Sequence, residues 1–211
     1  MAKPDDKPGV SPSGWPPQGS EWDWYQDEYP IGISLMLVRG VTPERVIEAY
    51  GANPAEARVL PATRALETLT SWVRVGRAGE WTFAFDDSHI GLEDFEQRIA
   101  RELSAGTDLV LFESNPNITY FWYYADGTEV TSFEPLLSTW RGGSDPDRFL
   151  PQMRQAGLNV EPPPDDDDSE PERNPAIALL DMLTLALGIR LSGEVALGPL
   201  LTVRPGLAAP G

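Results

Sequence analysis

The stretch ITYFWYYADGTEV, from Ile118 to Val130, limits the fold more than any other part of the chain. Tyr120, Phe121, Trp122, Tyr123 and Tyr124 follow without a break, and Asp126-Gly127 comes directly after them. Asp-Gly between two β-prone runs signals a hairpin, so the aromatic row reads as a strand folding back onto Glu129–Phe133. Neighbouring side chains of a strand point to opposite faces. Ile118, Tyr120, Trp122 and Tyr124 therefore share one face, and Thr119, Phe121 and Tyr123 share the other. A strand that is aromatic on both faces belongs in the middle of a sheet covered on both sides. The row is thus mainly core, with one face half open at the hairpin end.

The rest of the chain supplies what such a sheet needs. IGISLMLVRG is an apolar run ending at glycine, a buried strand over Ile33–Val38. TPERVIEAYG has the punctuation of a helix: Thr42 as N-cap, Pro43 in the first turn, Glu44 near the positive end, Gly51 as the stop, and Val46, Ile47 and Tyr50 facing inward. A short helix follows over Ala62–Thr70, then a hairpin with strands Trp72–Val75 and Trp81–Phe85 around GRAG. LEDFEQRIAREL lines up Leu92, Phe95, Ile99 and Leu103 on one stripe with the charges elsewhere, an amphipathic helix. Another buried strand is expected over Leu109–Glu113. A helix capped by Asp145 with Pro146 in its first turn follows, which Pro151 either restarts or kinks. Asn174-Pro175 opens a last long helix whose polar positions reduce to Asp181 and Thr184, so it is either buried between layers or faces a partner. One more turn and a strand over Leu200–Val203 end the folded part. The sum is an α+β domain, a mostly antiparallel sheet built from hairpins with amphipathic helices packed on it.

Of the 21 prolines, many fall in the first 17 residues and around EPPPDDDDSEPERNP. This divides the chain into a tail over 1–19, a domain over 20–160, an acidic loop over 161–173, a helix and strand over 174–204 that complete the same domain, and a tail over 205–211. Both tails and the loop are expected to be disordered. The loop carries seven acids (Glu161, Asp165, Asp166, Asp167, Asp168, Glu170, Glu172) against Arg173 alone. With a net charge of −17 the chain lacks the basic footprint that nucleic acid or an anionic membrane requires. It has no cysteine, so disulfides and thiolate chemistry are out, and no signal-peptide pattern opens it. A cytoplasmic protein is the default expectation.

Chemistry-bearing residues are sparse. The single histidine, His89, sits in FDDSHIG beside Asp86, Asp87 and Ser88. Such a group would suit a general base or a divalent ion, but an Asp/Ser-rich turn explains it as well. A zinc site of the usual kind would need three carboxylates around that histidine. The run Asp165–Asp168 lacks the glycine and glutamate of an EF-hand loop, and no phosphate-binding glycine loop or nucleophile elbow occurs. RGGSDP, at Arg141–Pro146, is explained by a helix start. No cofactor, metal site or catalytic residue is expected.

The order of the blocks GEWTFAFDD, YYADGTEVTSFEP, DPDRFLPQMRQAGL and ALLDMLTLALGIRLS resembles an uncharacterised actinobacterial family known as a domain of unknown function, over roughly residues 31–203. That resemblance implies a shared fold and carries no activity, ligand or site residue with it.

The leading expectation is therefore a non-enzymatic protein-interaction module with an acidic surface, an immunity-type or regulatory partner of a basic protein. Trp22, Trp24 and Tyr25 would supply contact area, and Asp165, Asp166, Asp167 and Asp168 would steer the encounter. One alternative is a small-molecule binder or enzyme with a pocket between the 118–124 strand and the 176–187 helix. Tyr120, Trp122 and Tyr124 would line it, with Asp86, Asp87, His89 and Glu113 as its polar groups. The other is a homodimer joined through the 176–187 helix.

Overall fold

The computed structural model describes residues 19–29, 32–68, 71–87, 93–115, 119–161 and 173–206. Nine antiparallel strands form one sheet: β1 Ser34–Arg39, β2 Arg58–Leu60, β3 Val73–Ala78, β4 Trp81–Asp86, β5 Asp108–Ser114, β6 Thr119–Ala125, β7 Thr128–Phe133, β8 Arg141–Gly142 and β9 Leu200–Val203. Their order across the sheet is β2-β9-β3-β4-β1-β5-β6-β7-β8. The helices are α1 Asp23–Glu28, α2 Pro43–Ala49, α3 Ala62–Thr68, α4 Glu93–Leu103, α5 Leu150–Ala156, α6 Pro175–Leu187 and α7 Gly193–Leu197.

Alternation along the strands splits the core in two. Met36, Val38, Ala84, Leu109, Leu111, Trp122 and Tyr124 pack under α2 and α4. Leu35, Leu37, Phe83, Phe85, Val110, Phe112, Phe121 and Tyr123 pack under α1, α5, α6 and α7. The aromatic row is β6, flanked by β5 and β7 and covered on both faces as its composition requires. Its half-open end is the opposite one from that expected: Tyr124 beside the hairpin turn is buried, and Thr119 and Tyr120 at the start of the strand are partly exposed.

Local punctuation was realised where capping is strong. Thr42 Oγ1 accepts from the Arg45 N–H at 3.3 Å, and Asn174 Oδ1 accepts from Ala176 and Ile177 at 2.9 and 3.4 Å. The β3–β4 hairpin is longer than GRAG suggested and turns at Gly79–Glu80. Gly76 lies inside β3 opposite Phe83, where a Cβ would meet the Phe83 ring at 2.6 Å, so this glycine makes room for the aromatic. The helix expected from Asp145 starts at Leu150 instead, with Pro151 in its first turn. Residues 146–149 form a preceding turn, tied down by Thr131 Oγ1 donating to the Pro146 carbonyl at 3.0 Å.

The long helix α6 is buried from Ile177 through Leu183 against its own chain, and Ala176, Leu185, Ala186 and Leu187 are half-buried. Its two polar residues are sockets for the N-terminal segment. Ser20 Oγ donates to Asp181 Oδ1 at 2.6 Å, and Trp22 Nε1 donates to Thr184 Oγ1 at 3.0 Å. No helix among the described residues is long and apolar enough to cross a membrane. The expectations for the tails, the acidic loop, Leu92, His89 and Asp165–Asp168 fall outside the described residues.

Candidate functional site

The aromatic residues expected at a partner surface pack against the body of the domain. Trp22 and Tyr25 are buried, and half-buried Trp24 donates its indole N–H to the Leu191 carbonyl at 2.9 Å. Two indoles and a phenol need polar partners once out of water. The partners found by the indoles lie on and just after α6, so the segment became core rather than contact area.

The expected pocket is corrected in a similar way. Alternation turns Tyr120, Trp122 and Tyr124 toward α2 and α4, while α6 covers the opposite face. Trp122 and Tyr124 are buried, and the sheet itself stands between them and α6. Asp87 closes the end of the β3–β4 ladder, its Oδ1 accepting from the Trp72 N–H at 2.9 Å.

Asp86 and Glu113, however, do come together. Ser34 on β1 stands opposite Asp86 on β4 and opposite Glu113 on β5, so all three side chains share the α2/α4 face in one cross-strand row. All three are buried, and Glu96 of α4 is buried with them. Glu96 belongs to the helix face that carries Ile99, where only apolar residues were expected. Burial pushes its carboxyl up to about 9, helped by the charges of Glu113 and Asp86. Ser34 Oγ lies close enough to ease that shift, yet neither Glu96 oxygen completes a hydrogen bond among the described residues. Burial above all, then Asp86 and Glu96, also holds the Tyr50 phenol well above its ordinary range. Every member of this cluster is buried, and no group of three acids or histidines among the described residues is arranged to hold a metal. The cluster can store a proton.

The surface feature that stands out was not anticipated. After β7 the chain makes a 3-10 turn over Pro135–Leu137 and passes through Trp140 into β8. Leu136, Leu137 and Trp140 are 59%, 50% and 79% exposed. Trp22, Trp72, Trp81 and Trp122 are buried, which sets Trp140 apart. The backbone beneath it is held firmly: Leu137 N–H donates to Glu134 O at 2.9 Å and Trp140 N–H to Leu137 O at 2.8 Å. Ser138 Oγ donates to Asn159 O at 2.8 Å, and Arg141 ties the loop to Asp147 and to the carbonyls of Ser138 and Val160. Apolar side chains are thus presented outward on a fixed frame.

The same corner holds both ends of the acidic stretch. Leu136, Leu158, Asn159 and Arg173 line one small cavity of about 120 Å³. Glu161 pairs with Arg154 at 3.0 Å, and Arg173 pairs with Asp181. A sequence signal for this corner did exist: EPLLSTW follows a strand and fits neither the helical nor the strand period, so its apolar residues have no face to bury.

Residues 19–197 match a family of unknown function (DUF6461), a span that begins earlier than the resemblance and takes in the α1 segment. The match covers most of the chain, and the chain belongs to that family. No curated protein matches it, and no solved structure does.

Proposed function

We propose that this member of the family acts without catalysis, by binding a basic protein through the corner formed by Leu136, Leu137 and Trp140. The observation that carries the reading is the exposed Trp140 on a rigid frame. Tryptophan is the residue most enriched at binding hot spots, and monomeric proteins seldom leave contiguous apolar side chains in water without a use for them. The −17 of the chain, and the acids between Glu161 and Arg173 in the sequence, support a basic partner. Asp165, Asp166, Asp167 and Asp168 belong to a segment whose flanking residues, Glu161 and Arg173, sit beside the patch. In this reading the apolar corner supplies most of the affinity, and the acids raise the association rate and reject acidic partners. Both the immunity-type and the regulatory forms fit this description, in a cytoplasmic setting.

The test is capture on the immobilised full chain from cell extract, at low and at high salt, beside the Trp140→Asp variant. A basic protein retained at low salt, released at high salt and absent from the variant is the expected result. Capture that Trp140→Asp leaves undiminished would sink the reading.

A further inference from the structure

The far edge of the sheet carries a second surface that the partner reading does not use. β2 is the edge strand, paired only with β9, and Arg58 stands opposite Thr202. Side chains two apart on a strand share a face. Arg58 and Thr202 therefore project on one side of the sheet, the side on which α3 lies and from which Ala65 enters the core. Arg64 of α3 and Arg204, just past β9, join them, and together they line a groove of about 810 Å³.

Arg58, Arg64 and Arg204 line this groove with one carboxylate among the described residues, Glu56. Arg58 and Arg204 form no ion pair among the described residues. Several other surface arginines are matched with acids, as in Arg45–Glu102, Arg154–Glu161 and Arg190–Glu21. A chain of net charge −17 gains no solubility from gathering cations at one spot, and their mutual repulsion has to be borne. The fixed fork of a guanidinium matches the paired oxygens of a phosphate or carboxylate, and the volume is that of a metabolite site.

We propose that the Arg58/Arg64/Arg204 groove binds a multiply charged anion of metabolite size. Phosphate and carboxylate head groups share the required chemistry, and the experiment separates them. The full chain would be titrated calorimetrically with pyrophosphate and, separately, with citrate, at an ionic strength held constant with sodium chloride. Saturable binding of either anion is expected, and the anion that binds fixes the head group. The Arg58→Gln/Arg204→Gln double variant should weaken that binding by about tenfold or more, while Arg77→Gln, an exposed arginine outside the groove, should leave it unchanged. Failure of both anions to bind the wild-type chain, or equal binding by the double variant, would overturn the proposal. Because the groove and the Trp140 corner lie on opposite edges of the sheet, neither outcome bears on the partner reading.

Discussion

The indole of Trp22 reaches across to Thr184, 162 positions later in the chain, and donates to its hydroxyl at 3.0 Å. The bond fixes α1 on α6 and makes the N-terminal aromatic segment part of the core. Trp22→Ala should therefore cost about 3–5 kcal/mol in urea unfolding. Thr184→Val, which leaves the indole N–H without its acceptor, should cost about 1–3 kcal/mol. A Trp22 variant that loses partner binding would be reporting on folding, and its unfolding midpoint would reveal this.

Glu96 makes stability depend on pH in a direction unusual for a carboxylate. Unfolded, the group titrates near 4.5; folded, near 9. Between those values the folded protein holds a proton that the unfolded chain has released, so stability falls as pH rises. The slope contributed by this one group approaches about 1.4 kcal/mol per pH unit and vanishes below and above the window. Burial first, then the charges of Glu113 and Asp86, favour the protonated form. Glu96→Gln should flatten the profile and stabilise the protein at pH 8. Urea midpoints between pH 5 and pH 9 measure it, and an unchanged slope in the variant would refute the assignment.

Trp140 should behave in the opposite manner to Trp22. Its ring is in water, so Trp140→Asp should change stability by no more than about 0.5 kcal/mol. Equilibrium unfolding of the two variants side by side separates an apolar surface from an apolar core.

Gly32 offers a backbone test. It has φ of +86°, and a Cβ there would lie 2.0 Å from the carbonyl oxygen of Ser114. Gly32→Ala combines an unfavourable backbone conformation with a main-chain clash where β1 begins beside the end of β5. A loss of about 1–3 kcal/mol is expected, seen as a lower thermal midpoint.

These residues mark where the sequence was readable. Capping side chains act on their own neighbours, which is why Thr42 and Asn174 announced α2 and α6 correctly. Strand alternation in β6 was equally local, and it gave the double-sided cover. What failed was information carried by distant pairings. The fate of Trp22 depended on a hydroxyl on α6. The fate of Glu96 depended on which acids β4 and β5 would bring beneath α4. Asp86 and Glu113 fit the polar groups of one pocket in sequence, and they do face each other across Ser34, but both are buried with Glu96 of α4. Trp140 was missed because it breaks every periodic pattern, and a residue that fits no pattern is easily passed over as loop.

The sheet ends in strands of three and two residues, β2 and β8. A growing fibril needs a long, flat, unpaired ladder to copy, and neither edge supplies one. Crowded solutions of this protein should therefore resist amyloid formation. Any self-association at high concentration should be side-chain driven, reversible by mild detergent, and abolished together with the indole of Trp140.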